Sequence, residues 1–307
     1  MRIGIIGAGG MGGFLGVKLA SAGHDIFFVA RGKHLEAMKK KGLTLKMEEG
    51  DETTRDFTTA ESPENFGQMD LIIFAVKLYD TLDAAKLCLP MMGPETVILT
   101  LQNGVESVDL ISEVVGAGHT IAGSIYVSAN IEEPGVIRHN GGANMMMYAG
   151  PNGFDEARYE KVAAIIRDTG MAGDRHADMM VMLWEKFVLL AANAGLGAMT
   201  GLDAGALCSD PDSRPLFEMA LTEAEAVANA SGVALQEGLV SMFMERIDAL
   251  KDQKLLASQA YAKLHGNKLE VEWIQGTIHR LGQKYGVPTP VHSLCYVCLK
   301  PFADGAQ

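Results

Sequence analysis

A chain of 307 residues with 48% hydrophobic and 21% charged residues is long enough for two domains and has the composition of a folded soluble protein. Its formal net charge of −12 argues against a nucleic-acid surface, which needs clustered Lys and Arg, yet still allows one anionic small molecule at a locally positive site. Four scattered cysteines imply no disulfide framework, and Cys295-x-x-Cys298, without the surroundings of a redox motif, is expected as two core thiols.

The first strand is expected at residue 2, directly ahead of Gly7-Ala8-Gly9-Gly10-Met11-Gly12, with a helix from about Phe14 to Gly23. An apolar run, Gly-x-Gly-x-x-Gly and then a helix is the order of a dinucleotide-binding turn. Gly7 permits the turn, Gly9 lets backbone approach a pyrophosphate, and Gly12 lets helix pack closely on strand. The phosphates would lie on free N–H groups at the helix N-terminus. Because no signal peptide is expected before that strand, the expected location is cytoplasmic.

A second strand, residues 24–30, ends in Arg31, with Lys33 and His34 close behind. An acid at that end would suit the ribose hydroxyls of NAD, but Asp25 lies at the wrong end of the strand. Positive charge there points instead to a 2′-phosphate and NADPH, although Arg31 also reads as a solvated loop residue. A short helix over 34–41 and a small hairpin or edge strands over 43–59 follow. Apolar runs at 70–76, 96–101 and 121–127 then read as strands buried on both faces, ending in Lys77, Gln102-Asn103-Gly104 and Ser128-Ala129-Asn130. With helices between them they predict a mostly parallel sheet, whose ligand edge would gather Gly9, Arg31, Lys77, Asn103 and Asn130. Short strands near Pro134-Gly135-Val136 and Asn140-Gly141-Gly142 are expected to continue this sheet.

Beyond residue 176 the pattern becomes almost wholly helical. The expected organisation is an α/β Rossmann-type domain over 1–174 and an all-α domain over 175–307. Met179 to Leu202 is apolar enough to suggest a membrane span, but Glu185, Lys186 and Asn193 make a buried helix the better reading, and no membrane partner is expected. Lys186 and Asn193 are seven apart and share a helix face, which suggests a pocket wall; snorkelling of Lys186 to solvent is the alternative. Residues 268–285 read as another helix, with Glu270 and Glu272 on different faces near its start, and Ser258 lies upstream. The apolar helical half has room for a homodimer contact but is equally explained by its own core.

Taken in order, the glycine motif, Arg31, Lys77, Gln102-Asn103-Gly104, Glu132-Glu133-Pro134-Gly135-Val136-Ile137-Arg138-His139, Trp184-Glu185-Lys186 and Leu269-Glu270-Val271-Glu272 resemble the ketopantoate reductase (2-dehydropantoate 2-reductase) family over essentially the whole chain. The resemblance implies an active site in the cleft between the two domains. It also implies NADPH-dependent reduction of ketopantoate, a small 2-keto acid, to pantoate on the route to pantothenate and coenzyme A. By position, Lys186 resembles the family's proton donor, and Asn103 the asparagine near the nicotinamide and reacting centre. Glu270 is similar to the acid contacting cofactor and active site, and Ser258 to the serine near substrate. Arg31 and Lys77 match 2′-phosphate positions, and Asn130 a further cofactor contact. The family often has asparagines four and eight residues after the lysine, where this chain has Leu190 and Ala194, and an acid where it has Ala262. Asn193 is the available substitute, and a more apolar 2-keto acid is the alternative substrate. A non-catalytic NADPH sensor and the β-hydroxyacid dehydrogenase group are the other readings weighed.

Overall fold

A computed structural model describes residues 1–250 and 256–305; the part of the expected helical half at 251–255 and 306–307 lies outside the described residues. The chain packs as two compact units, Met1–Gln102 with Glu106–Met179, and Asn103–Val105 with Met180–Gln307.

The first unit is built on one sheet in the order β4-β3-β9-β8-β7-β6-β1-β2-β5. Its strands are β1 (Arg2–Ile6), β2 (Asp25–Val29), β3 (Leu43–Lys46), β4 (Glu52–Thr54), β5 (Thr58–Ala60), β6 (Leu71–Phe74), β7 (Val97–Thr100), β8 (Thr120–Glu133) and β9 (Val136–Ala149). The pairs β3–β4 and β8–β9 are antiparallel and the others parallel. The helices are α1 (Gly10–Ser21), α2 (Gly32–Lys41), α3 (Thr81–Cys88), α4 (Ser107–Val115) and α5 (Glu156–Asp168).

The central strands are apolar at nearly every position because both faces are covered. Ile3, Ile5, Ile26, Phe28, Leu71 and Ile73 join one core with Phe14, Leu15 and Val17 of α1 and Val162 and Ile165 of α5. The intervening Ile6, Phe27, Val29, Ile72 and Phe74 join a second core with Ala84 and Ala85 of α3 and Ile111 of α4. Side chains alternate across a strand, so one run feeds both cores.

Three expectations are corrected. The strand expected to stop at Val127 continues to Glu133, so Asn130 lies inside β8 and not beyond its end. The apolar pattern stops where two-sided burial stops, whereas the strand itself runs on as a ribbon paired with β9. Asn140-Gly141-Gly142 accordingly lies within β9; the β8–β9 register shifts between Tyr126 and Val127, and Gly142 (φ 117°) pairs with Val127 there. Finally, the helix expected from Lys268 begins at Gln275. Leu269 N–H donates to Ala303 C=O, and residues 271–274 form turns that take Glu270 out of any helix.

The second unit contains α6 (Met179–Thr200), α7 (Ala204–Ser209), α8 (Arg214–Ala230), α9 (Leu239–Leu250), α10 (Ser258–Leu264), α11 (Gln275–Tyr285) and α12 (Pro290–Leu299). Trp184, Phe187, Val188 and Ala191 of α6 are essentially fully buried. Length and composition would let α6 cross a membrane, but this packing is that of a core helix. A buried acid of α8, Glu223, accepts from the Val291 and His292 N–H groups and so caps the start of α12. Cys295 is buried as expected for a core thiol; Cys298, one turn on, is exposed.

Candidate active site

The chain leaves β1 with β2 on one side and β6 on the other, so the glycine loop occupies the point where strand order reverses. Open α/β sheets bind ligands at this point, outside the carboxyl ends of the strands. Gly7 has φ +96°, which lets the chain turn sharply off β1. Gly9 is the N-cap of α1 with no side-chain cap, and a Cβ built on it meets nothing within 4 Å. The helix therefore starts with uncapped N–H groups beside open space, the arrangement a pyrophosphate needs. Ala8 is buried, whereas Gly9, Gly10 and Met11 are partly open. The residues fit a dinucleotide.

Arg31 follows β2 and Lys77 follows β6, so exposed cations flank this loop on both sides. His34 adds no charge at neutral pH. Burial lowers its pKa, opposed by a hydrogen bond with the Ala8 backbone, and its Nδ1 accepts from Gly135 N–H. Asn130, although inside β8, still reaches the loop: a Cβ on Gly10 would lie 2.9 Å from Asn130 Cα and 2.1 Å from Ala129 O. Its side-chain oxygen accepts from Asn140 Nδ2 at 2.6 Å, which ties it to the ribbon.

The remaining predicted residues belong to the helical unit, Asn103 among them. On α6, Lys186, Leu190 and Asn193 are spaced i, i+4, i+7 and are only partly buried, while more than half of the helix is buried. Burial pushes the Lys186 pKa from 10.5 down to about 8, since the ammonium loses hydration. Asn193 Oδ1 is buried and has no hydrogen-bond partner among the described residues. Glu270 is buried, whereas Ser258, the first residue of α10, is exposed. Glu272 is turned elsewhere, accepting from Arg280 Nη1 and from Tyr296 Oη at 2.7 Å.

Two glutamines that residue patterns did not single out hold this set together. Gln275 is fully buried, donates to Ala191 C=O at 3.1 Å and accepts from Gln259 Nε2 at 2.7 Å. Gln259 also donates to Ala194 C=O. Two amides thus lock α10 and the start of α11 onto α6. A polar residue at the head of a helix looks like surface in sequence, so no signal marked it. Gln275→Ala leaves a cavity and a buried amide without its acceptor. It should lower stability by about 2–4 kcal/mol, measured by urea unfolding followed by circular dichroism.

A hydride-carrying dinucleotide and a lysine able to give up a proton near neutral pH are the working parts of a dinucleotide-dependent oxidoreductase. Comparison with known proteins narrows this class. Residues 3–152 match the family model described as ketopantoate reductase PanE/ApbA, and residues 178–303 match its C-terminal counterpart. The 2-dehydropantoate 2-reductase of Halobacterium salinarum is 30% identical over 297 residues, covering 95% of each chain. The solved structure of 2-dehydropantoate 2-reductase from Geobacter metallireducens superposes with a TM-score of 0.90 at 29% identity, over 98% of this chain and 99% of that one. A D-mandelate dehydrogenase with NADH and anilino(oxo)acetate shares the fold at TM-score 0.88 and 21% identity, over 99% and 98%. The chain belongs to the ketopantoate reductase family.

Proposed function

We infer that this protein reduces the 2-keto group of 2-dehydropantoate to give pantoate, with NADPH as reductant and Lys186 as proton donor. The observation that carries this reading is Lys186 itself, a lysine on a mostly buried helix with its pKa brought down to about 8. NADPH supplies the hydride to the keto carbon when bound. As the carbon–oxygen double bond becomes a single bond, negative charge grows on oxygen; the Lys186 ammonium stabilises it and transfers a proton, leaving an amine that solvent reprotonates. Gly9 and the uncapped start of α1 take the pyrophosphate, and Arg31 and Lys77 the 2′-phosphate. Asn103 and Glu270 orient the reacting groups. Asn193, with an unused buried amide oxygen, accepts from the substrate hydroxyl in place of the asparagines replaced by Leu190 and Ala194. Ser258 is assigned to the substrate carboxylate.

A second reading, a reductase of a more apolar 2-keto acid, is favoured by Leu190, Ala194 and Ala262 in place of polar groups. Loss of reduced-nicotinamide absorbance with a panel of 2-keto acids separates the two. The expected result is a kcat/KM for 2-dehydropantoate at least about ten-fold above that for branched 2-keto acids lacking the hydroxyl, as one satisfied buried hydroxyl warrants. Equal or better turnover of the apolar acids keeps the chemistry and discards the substrate. Cofactor binding without turnover of any keto acid makes the protein a sensor.

A further inference from the structure

The positive edge of the cofactor site contains an acid as well. Arg31 Nη2 donates to Asp80 Oδ2 at 2.9 Å. The two residues come from opposite sides of the glycine loop, Arg31 after β2 and Asp80 on the turn after β6, and both of those strands pair with β1. The guanidinium expected to meet a 2′-phosphate is therefore already engaged by a carboxylate.

The partners are not equally free to leave. Arg31 has 79% of its side chain exposed, on a long flexible stem. Asp80 is half-buried at the end of a 3-10 turn, Leu78–Asp80, that is bonded internally and from behind. Asp80 N–H donates to Lys77 C=O, and Thr81 Oγ1 to Leu78 C=O at 2.7 Å. The buried Gln102 Nε2 in turn donates to Thr81 Oγ1 at 2.8 Å and to Val76 C=O at 3.2 Å. The acid is fixed in the site and the arginine is the movable member.

We propose that Asp80 sets the coenzyme discrimination of this enzyme, opposing the 2′-phosphate of NADPH and accepting from the ribose 2′-hydroxyl of NADH. This rests on the assignment of Arg31 to the 2′-phosphate. A phosphate arriving there carries up to about two negative charges and meets a fixed carboxylate bound to its own ligand, so it binds against like charge. A ribose hydroxyl meets a carboxylate acceptor, the partner that suits NADH. The side chain of Asp80 makes no capping bond to α3, so a neutral replacement leaves the helix its support.

The test is titration of the purified protein with NADPH and with NADH, read by reduced-nicotinamide fluorescence, which does not depend on the keto acid used. The proteins are wild type, Asp80→Asn, Asp80→Ser, Arg31→Ala and the Arg31→Ala/Asp80→Asn double variant. Asp80→Asn and Asp80→Ser should each tighten NADPH about five-fold at low salt, the size expected for solvated like charges a few Å apart, with a smaller gain at high salt. NADH should bind no tighter, so the NADPH-to-NADH affinity ratio rises. In the Arg31→Ala background the NADPH gain should persist, because the repulsion is between acid and phosphate. Weaker NADPH binding in both Asp80 variants would make Asp80 a holder of Arg31 and overturn the proposal, as would an unchanged ratio. If Arg31→Ala alone leaves NADPH affinity unmoved, the 2′-phosphate assignment of Arg31 has failed and this inference with it. Weaker NADPH binding in Arg31→Ala without tightening in the Asp80 variants overturns the proposal alone.

Discussion

Lys186→Ala should lower kcat by about 10²- to 10⁴-fold, the range for loss of a positioned general acid, while NADPH still binds. The alkoxide formed by hydride addition would then lose both its counter-charge and its proton source. The pH profile carries the sharper signature. Burial holds the Lys186 pKa at about 8, against 10.5 for a free lysine, so the ammonium predominates below that pH and the amine above it. A proton donor must start protonated, so kcat/KM should be level below pH 8 and fall as pH rises through about 8. Lys186→Arg keeps positive charge but not a transferable proton, because a guanidinium does not deprotonate in proteins. It should recover little activity and lose the descending limb. A wild-type rate that stays level through pH 8, or an arginine variant with near-normal kcat, would remove Lys186 from the proton-donor role. Fluorescence titration with NADPH checks that binding persists, since the residues assigned above to the pyrophosphate and the 2′-phosphate belong to the α/β unit and Lys186 to the helical one.

The second large effect is a contrast between two glycines three residues apart. At Gly12 a Cβ would lie 2.1 Å from the carbonyl oxygen of Gly7 and 3.0 Å from Ile5 Cγ2. Backbone cannot yield cheaply there, so Gly12→Ala should cost about 1–3 kcal/mol of stability and, by shifting the loop, weaken NADPH as well. Gly9 is the opposite case. Its φ of −74° is open to any residue, and the added methyl meets nothing in the protein. Gly9→Ala should therefore change stability by no more than about 1 kcal/mol, the difference between Gly and Ala as N-caps. It should still weaken NADPH at least about ten-fold, because the methyl enters the approach of the pyrophosphate. Thermal unfolding and cofactor titration of both variants give the comparison. Unimpaired binding in Gly9→Ala would place the phosphates elsewhere.

Much of this was legible in residue order because the signals were local. Apolar runs at 70–76 and 96–101 declared strands covered on both faces, and the glycines following Ile6 declared the turn. Lys186 stood out because a charge on an otherwise apolar helix needs a reason. Glu270 was given its role by resemblance while its setting was misread: residues 268–285 read as one helix, but Leu269 pairs with Ala303 and the segment that follows forms turns.

By itself the sequence determined the α/β-then-helical order and the place of the dinucleotide turn, since periodicity and glycine spacing act over a few residues, and its motifs in order carried the resemblance to the family. Tertiary structure alone decided that β8 and β9 run on as a paired ribbon past the end of their apolar pattern. It alone decided that Gln259 and Gln275 clamp α10 and α11 to α6, and that Asp80 faces Arg31 from 49 residues away. The clamp and the Arg31–Asp80 pair depend on partners far off in the chain, and a contact made across such a distance leaves no mark in the spacing of either residue's neighbours. The ribbon is a local hairpin, but it runs on where two-sided burial, and with it the continuous apolar pattern, has ended.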